Sequence, residues 1–192
     1  RVALVLVLRR EKRRRAGLIV AILKVARMGH PVLRTKAQPI PPSEITSAPI
    51  QRLIDDMFET MKEYSGIGLA APQVGVALRI FVVDLSGGRD PQGLIVMVNP
   101  SFVDRDGMQL EEEGCLSLPG FTATVVRPER AVLRGLDQNG TEVKREGTGL
   151  LARAFQHEMD HLDGTLFVDR LRGIKKDLIV RRIRKLTRAG QW

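Results

Sequence analysis

The residues best placed to do chemistry are His157-Glu158-Met159-Asp160-His161. Two imidazoles four residues apart project from one face of a helix, about one turn from each other, and can reach a single metal ion. Glu158 follows the first of them, where its carboxylate can approach a water held at the ion without displacing it. The pentapeptide also occurs in structural settings, so a third ligand has to decide the matter. One large class of zinc proteases takes a downstream glutamate, but no Glu follows Glu158. Another class has a third histidine six residues after the second; Gly164 falls where that class has its glycine, and Phe167 stands in the histidine's place. The remaining candidate is Cys115, the single cysteine, in Glu113-Gly114-Cys115-Leu116-Ser117. Its thiolate would complete a His2Cys set and leave a fourth position for water.

Helices and strands must bring these distant segments together. Leu53, Ile54, Met57, Phe58 and Met61 recur at helical spacing and predict a surface helix over 51–64. The β-branched run Ile80 to Val83 predicts a strand, followed by others over 94–98, 124–126, 131–137 and 141–143, the last two joined at Asn139-Gly140 by a tight turn. Thr148 is positioned to cap a helix that carries the pentapeptide and ends near Gly164. A final helix over 174–188 is expected to bury Leu178, Ile179, Ile183 and Leu186 and to expose its lysines and arginines. The expected class is α+β: small, largely antiparallel sheets packed around a central H-E-x-x-H helix, with a C-terminal helix.

The 192 residues suffice for one domain with a hydrophobic core, and an unpaired thiol suits a reducing cytosol. The longest apolar runs are far shorter than the roughly 20 residues that cross a bilayer. Net charge is +9, but it sits at the ends: residues 1–27 and 170–188 each hold nine Lys/Arg and one acid, leaving the stretch between them net negative. Residues 1–20 are read as a basic N-terminal extension ahead of one domain over 21–192. A transit-like segment, a boundary artefact and a short added strand all stay open for that extension. The charge follows the apolar run of 2–8, whereas a secretory signal places it before.

Three ordered motifs resemble those of the peptide deformylases of bacterial and organellar type: Gly66-Ile67-Gly68-Leu69-Ala70-Ala71-Pro72-Gln73, then Glu113 to Ser117, then Gln156 to Gly164. The similarity spans Ile22 to Arg188. It implies a hydrolase that removes the formyl group from the N-formylmethionine of nascent polypeptides and releases formate. Cys115, His157 and His161 would hold one divalent metal ion, Fe2+ by the family's preference, although such a ligand set also accepts Zn2+, Ni2+ or Co2+. Glu158 would be the general base, and the Gln73 amide and the Leu116 backbone N–H would hold the oxyanion. Ile67, Gly68, Glu113, Gly114 and Leu150 would contact substrate, with Ile67 and Leu150 in an apolar pocket for the methionine side chain. The basic helix 174–188 would dock on the ribosome; neither membrane nor DNA is implied as a partner. Arg153 stands where some members have an aliphatic residue, and Thr122 where they have an arginine.

A zinc endopeptidase of the H-E-x-x-H type and an RNA-binding module built on the basic ends are the rival readings. The second predicts salt-sensitive RNA binding indifferent to chelators. With only 4% aromatic residues, the chain offers few platforms for stacked bases. His30 has no ligand spacing and is left outside the site. Ser117 and Asp160 could suggest a serine hydrolase, but no G-x-S-x-G elbow surrounds Ser117.

Overall fold

The structure is a computed structural model, and it describes residues 9–15 and 18–192 apart from Pro91. Any assignment for residues 1–8, including the apolar run 2–8, lies outside the described residues. Within the extension, β1 (Arg9–Arg15) pairs antiparallel with β2 (Leu18–Leu23), which is the geometry of an added strand.

β2 is fastened to the body by side chains of a helix. After α1 (Pro42–Ile45), α2 (Ala48–Glu63) begins with Pro49 in its first turn, where a missing N–H costs nothing. One face of α2 buries Leu53, Ile54, Met57, Phe58 and Met61, as the spacing predicts. Two polar residues on α2 are also buried, because the Ala21 N–H donates to Asp56 Oδ1 (2.7 Å) and the Leu23 N–H to Thr60 Oγ1 (2.9 Å). Backbone donors of β2 that β1 does not use are thereby satisfied.

The main sheet has five antiparallel strands in the order β3 (Gly68–Ala70), β4 (Ile80–Val83), β5 (Ile95–Asp106), β8 (Arg130–Leu136), β9 (Glu142–Thr148). β6 (Gln109–Gly114) and β7 (Thr122–Arg127) form a separate hairpin. Ile80 and Val82 pack with the α2 cluster, while Phe81 and Val83 pack with Phe155, Met159 and Leu162 of α3 (Gly149–Leu162). β4 is thus covered on both faces, and for that reason Ile80 to Val83 reads as a continuous apolar run without alternation.

The differences from expectation have local causes. β5 runs eight residues past its expected end because Asn99-Pro100 reads as a break. Asn99 adopts φ 50°, and its side-chain amide pairs with the Ile40 backbone through 2.8 and 2.7 Å bonds, so the strand continues through an irregularity. Thr148 precedes α3 but makes no side-chain cap; the Gly149 N–H donates to the Glu129 carbonyl instead (2.9 Å). The last helix, α4 (Ile174–Arg188), has the expected bounds but a narrower contact. Ile183 is buried, Ile179 and Leu186 are half-buried, and Leu178 is 58% exposed, because α4 rests on a single small cluster with Leu118, Phe167 and Val168. Among the described residues no helix is long and apolar enough to cross a membrane.

Candidate metal centre

α3 lies against strands of the main sheet, and Phe155, Met159 and Leu162 anchor one of its faces. That anchoring turns His157 and His161 toward the β6–β7 side, where Cys115 follows β6 directly. Among the described residues, Cys115, His157 and His161 form one group whose ligand atoms all lie within 4.8 Å of one another. Cys115 Sγ stands 3.2 Å from His161 Nε2, and the two imidazoles meet edge to face with centroids 4.9 Å apart. A soft sulfur and two imidazoles aimed at one point suit a divalent transition ion, and the donor set therefore fits the metal that the motifs imply.

The charges around the triad come from a buried ion network. The Glu113 carboxylate accepts from Arg127 Nε (2.6 Å) and Nη2 (2.8 Å) and from Arg153 Nη1 (2.7 Å), and its Oε2 lies 3.0 Å from His157 Nδ1. Arg127 Nη1 also donates to Asp160 Oδ2 (2.7 Å), and Arg170 Nε donates to the same atom (2.6 Å). Burial pushes the Glu113 carboxyl up, but Arg127 and His157 overcome it and hold the group down at about 2. Burial would also lower His157, yet its contacts with Cys115 and Glu113 hold it well above the ordinary imidazole value. His161 moves well below that value, through burial and then through the charges of His157 and Arg127. The two rings are therefore electrostatically unlike despite their equal spacing.

Glu158 sits beside the triad with its side chain buried, and Oε2 has no hydrogen-bond partner among the described residues. Burial pushes its carboxyl up to about 7, a value suited to a group that both takes and returns a proton. A cation in the triad would draw it back down. Gly68 lies against this carboxylate so closely that a Cβ there would collide with Glu158 Oε1 and stand 3.0 Å from Cδ. Across the site, the Ala70 N–H donates to Gln73 Oε1 (2.8 Å), which turns Gln73 Nε2 toward Cys115 Sγ (3.6 Å) and Ser117 Oγ (3.4 Å). The Gln73 amide thus has a fixed orientation, with its N–H2 facing the thiol.

Ile67, Gly68, Gly114, Leu116 and Leu150 all line one cleft with Cys115, His157 and Glu158. Glu113 borders it too, but its carboxylate is spent on Arg127, Arg153 and His157. The sequence departures resolve in the same way. Arg153 is a buried part of the cleft wall, donating to Glu113, to Gln109 Oε1 (3.1 Å) and to the Val125 carbonyl (3.2 Å), and Thr122 Oγ1, also on the wall, donates to Glu112 Oε1 (2.6 Å). His30 lies at the cleft rim, where Nδ1 accepts from the Val32 N–H (3.3 Å) at the start of a short helical turn. Sequence reasoning missed Arg127 and Arg170, since a single arginine at the end of Thr-Ala-Thr-Val-Val-Arg carries no spacing signal. The closeness of Asp160 to both histidines in sequence was the one available hint that a counter-charge would be needed.

The chain matches the polypeptide deformylase family over residues 22–177. It is 47% identical over 171 residues to a peptide deformylase of Acidobacterium capsulatum, covering 89% of this chain and 99% of that one. It is 53% identical over 159 residues to one of Thermodesulfovibrio yellowstonii, covering 83% and 94%. Among solved structures, a peptide deformylase from Legionella pneumophila superposes with a TM-score of 0.79 at 42% identity, over 87% of this chain and 96% of that one. One from Plasmodium falciparum gives 0.80 at 33% identity, over 86% and 96%.

Proposed function

The chain belongs to the polypeptide deformylase family of metal-dependent hydrolases, and from that membership we propose that its triad and Glu158 together remove the formyl group from the N-formylmethionine of nascent polypeptides. The observation that carries the reading is the convergence of Cys115 Sγ with both imidazoles beside the buried carboxylate of Glu158. Cys115, His157 and His161 would hold one divalent ion, which when bound supplies Lewis acidity that makes water a nucleophile near neutral pH and polarises the formyl carbonyl. The family's preference points to Fe2+ as the native occupant, with Zn2+, Ni2+ and Co2+ suited to the same ligands.

The rest is done by the chain's own groups. Glu158 accepts a proton from the water that adds to the formyl carbon. Gln73 Nε2, whose direction is set by the Ala70 N–H, donates to the oxyanion, and the Leu116 backbone N–H is assigned the second bond. The C–N bond then breaks and Glu158 returns its proton to the departing amine, so that formate and a free N-terminal methionine leave. Gly68 lets the substrate and the Glu158 carboxylate approach each other. Ile67 and Leu150, both exposed in the cleft, would receive the methionine side chain, with Gly114 at its margin. Glu113 would serve the reaction through His157 more than through substrate contact.

We read residues 21–192 as one metallohydrolase domain that works in the cytoplasm, or in an organelle should residues 1–20 be part of a targeting segment, and α4 as a ribosome-docking element. The test of the central reading pairs metal analysis with formate release from formyl-methionyl peptides, in the wild type and in Cys115→Ala. One equivalent of metal and formate release without backbone cleavage are expected for the wild type, with both lost in the variant. Retention of metal and turnover by the variant would refute the ligand assignment, and cleavage at internal bonds would favour an endopeptidase.

A further inference from the structure

Arg170 stands at the outer end of the buried ion network, with its side chain 42% exposed, and the proposed reaction gives it no task. It closes the helical turn Phe167–Arg170, which touches the imidazole helix in two ways. The first is apolar. Phe167, the residue that stands in place of a third histidine, lays its ring along that of His157, with centroids 6.4 Å apart and planes 25° from parallel. The second runs through charge. Arg170 grips both oxygens of the buried Asp160 carboxylate, its Nε donating to Oδ2 (2.6 Å) and its Nη2 to Oδ1.

Arg127 has to divide one rigid guanidinium between two carboxylates. It commits Nε and Nη2 to Glu113 and Nη1 alone to Asp160. That division holds because Arg170 gives Asp160 two further bonds. Without them, among the described residues, the Asp160 carboxylate would be left with a single donor, and a buried anion so poorly satisfied would draw Arg127 toward itself. The guanidinium edge laid against Glu113 would then turn away, and Glu113 Oε2 is the atom 3.0 Å from His157 Nδ1. We propose that Arg170 is a positioning residue for the metal centre: by satisfying Asp160 it keeps Arg127 square to Glu113 and so fixes the pose of His157. The role rests on the reading of Cys115, His157 and His161 as metal ligands. It also depends on the two-pronged grip, which a lysine reproduces in charge but not in geometry.

Metal release to a chromogenic chelator, from protein loaded with Co2+ or Zn2+, measures this pose without turnover. Arg170→Ala should lose either ion about tenfold faster than wild type, the low end of what removing a partner that orients a ligand costs. The visible absorption of the Co2+-loaded variant should change as well, because those bands follow ligand geometry. Arg170→Lys should recover part of the lost retention. Ile54→Val, in the α2 core and outside these ion pairs, reports what lost stability alone does, and its release rate should match wild type. In a Glu113→Gln background Arg170→Ala should add little, since the contact through which it acts is already broken. A wild-type release rate and spectrum in Arg170→Ala would overturn the role, as would equal acceleration in Ile54→Val or full additivity with Glu113→Gln. Wild-type protein that takes up neither ion would instead refute the ligand reading on which the role depends.

Discussion

Glu113 and His157 form a pair in which the carboxylate, 3.0 Å from Nδ1, fixes the ring so that its other nitrogen faces Cys115. The carboxylate is itself held by Arg127 and Arg153, so the pose of a proposed metal ligand is set by side chains outside the triad.

Glu113→Ala is expected to leave the buried Arg153 without a carboxylate partner and Arg127 with Asp160 alone. Stability should fall by about 3–5 kcal/mol, and metal should be held about 10–100-fold more weakly. Thermal melts and competition with a chelator measure the two effects. A folded variant that keeps wild-type metal affinity would count against the orienting role.

Gly68→Ala puts a methyl group where the Glu158 carboxylate lies. Displacing the base by even an ångström should cost on the order of 100-fold in kcat, with metal content unchanged. Steady-state formate release alongside metal analysis tests this, and a near-normal kcat would show that Glu158 can move aside at no cost.

Asp169 joins three parts of the chain, pairing with Arg34 and Lys176 and accepting the Leu166 N–H (2.9 Å). Partial burial pushes its carboxyl up, but the Arg34 pair and the Leu166 N–H outweigh this and lower it below 3.8. A carboxyl depressed in the folded state stabilises that state above its unfolded value, and the gain is lost as pH falls through the folded one. The melting-temperature gap between wild type and Asp169→Asn should therefore be full at pH 6 and close progressively below about 3.8. A gap that persists at acid pH would mean that the bonds, and not the charge, supply the stability.

α4 exposes Arg181, Arg182 and Lys185. Reversing these three charges to Glu should abolish co-sedimentation with ribosomes at low salt, while turnover of short formyl peptides stays near wild type. Binding that survives the reversal would place the docking surface elsewhere.

Much of this architecture is legible in the sequence where periodicity and burial agree. α4 has the predicted bounds, α2 starts three residues early and ends one residue early, and Ile80 to Val83 is a strand because both its faces are covered. The three converging side chains proposed as metal ligands could also be named in advance, since their identities and motif order survive translation into one dimension. Other features were hidden because they depend on pairing across the fold. β6 carries Glu111-Glu112-Glu113 in a row, with no apolar alternation to announce a strand, and the burial of Glu113 is explained only once Arg127 and Arg153 are placed against it. Leu178 looked like a core position because helical spacing identifies an apolar stripe without saying how wide a surface awaits it.

Arg127 bonds to Glu113 on β6 and to Asp160 on α3, so the strand leading to the thiol and the helix bearing the imidazoles are locked together by the polypeptide alone. These bonds involve no ion, so the proposed socket is expected to form without one, unlike small zinc modules that owe their folding to the metal. Stripped protein should hence stay folded and accept whichever divalent ion is offered next, so that the occupant in a cell is decided by supply and exchange rate instead of by the act of folding.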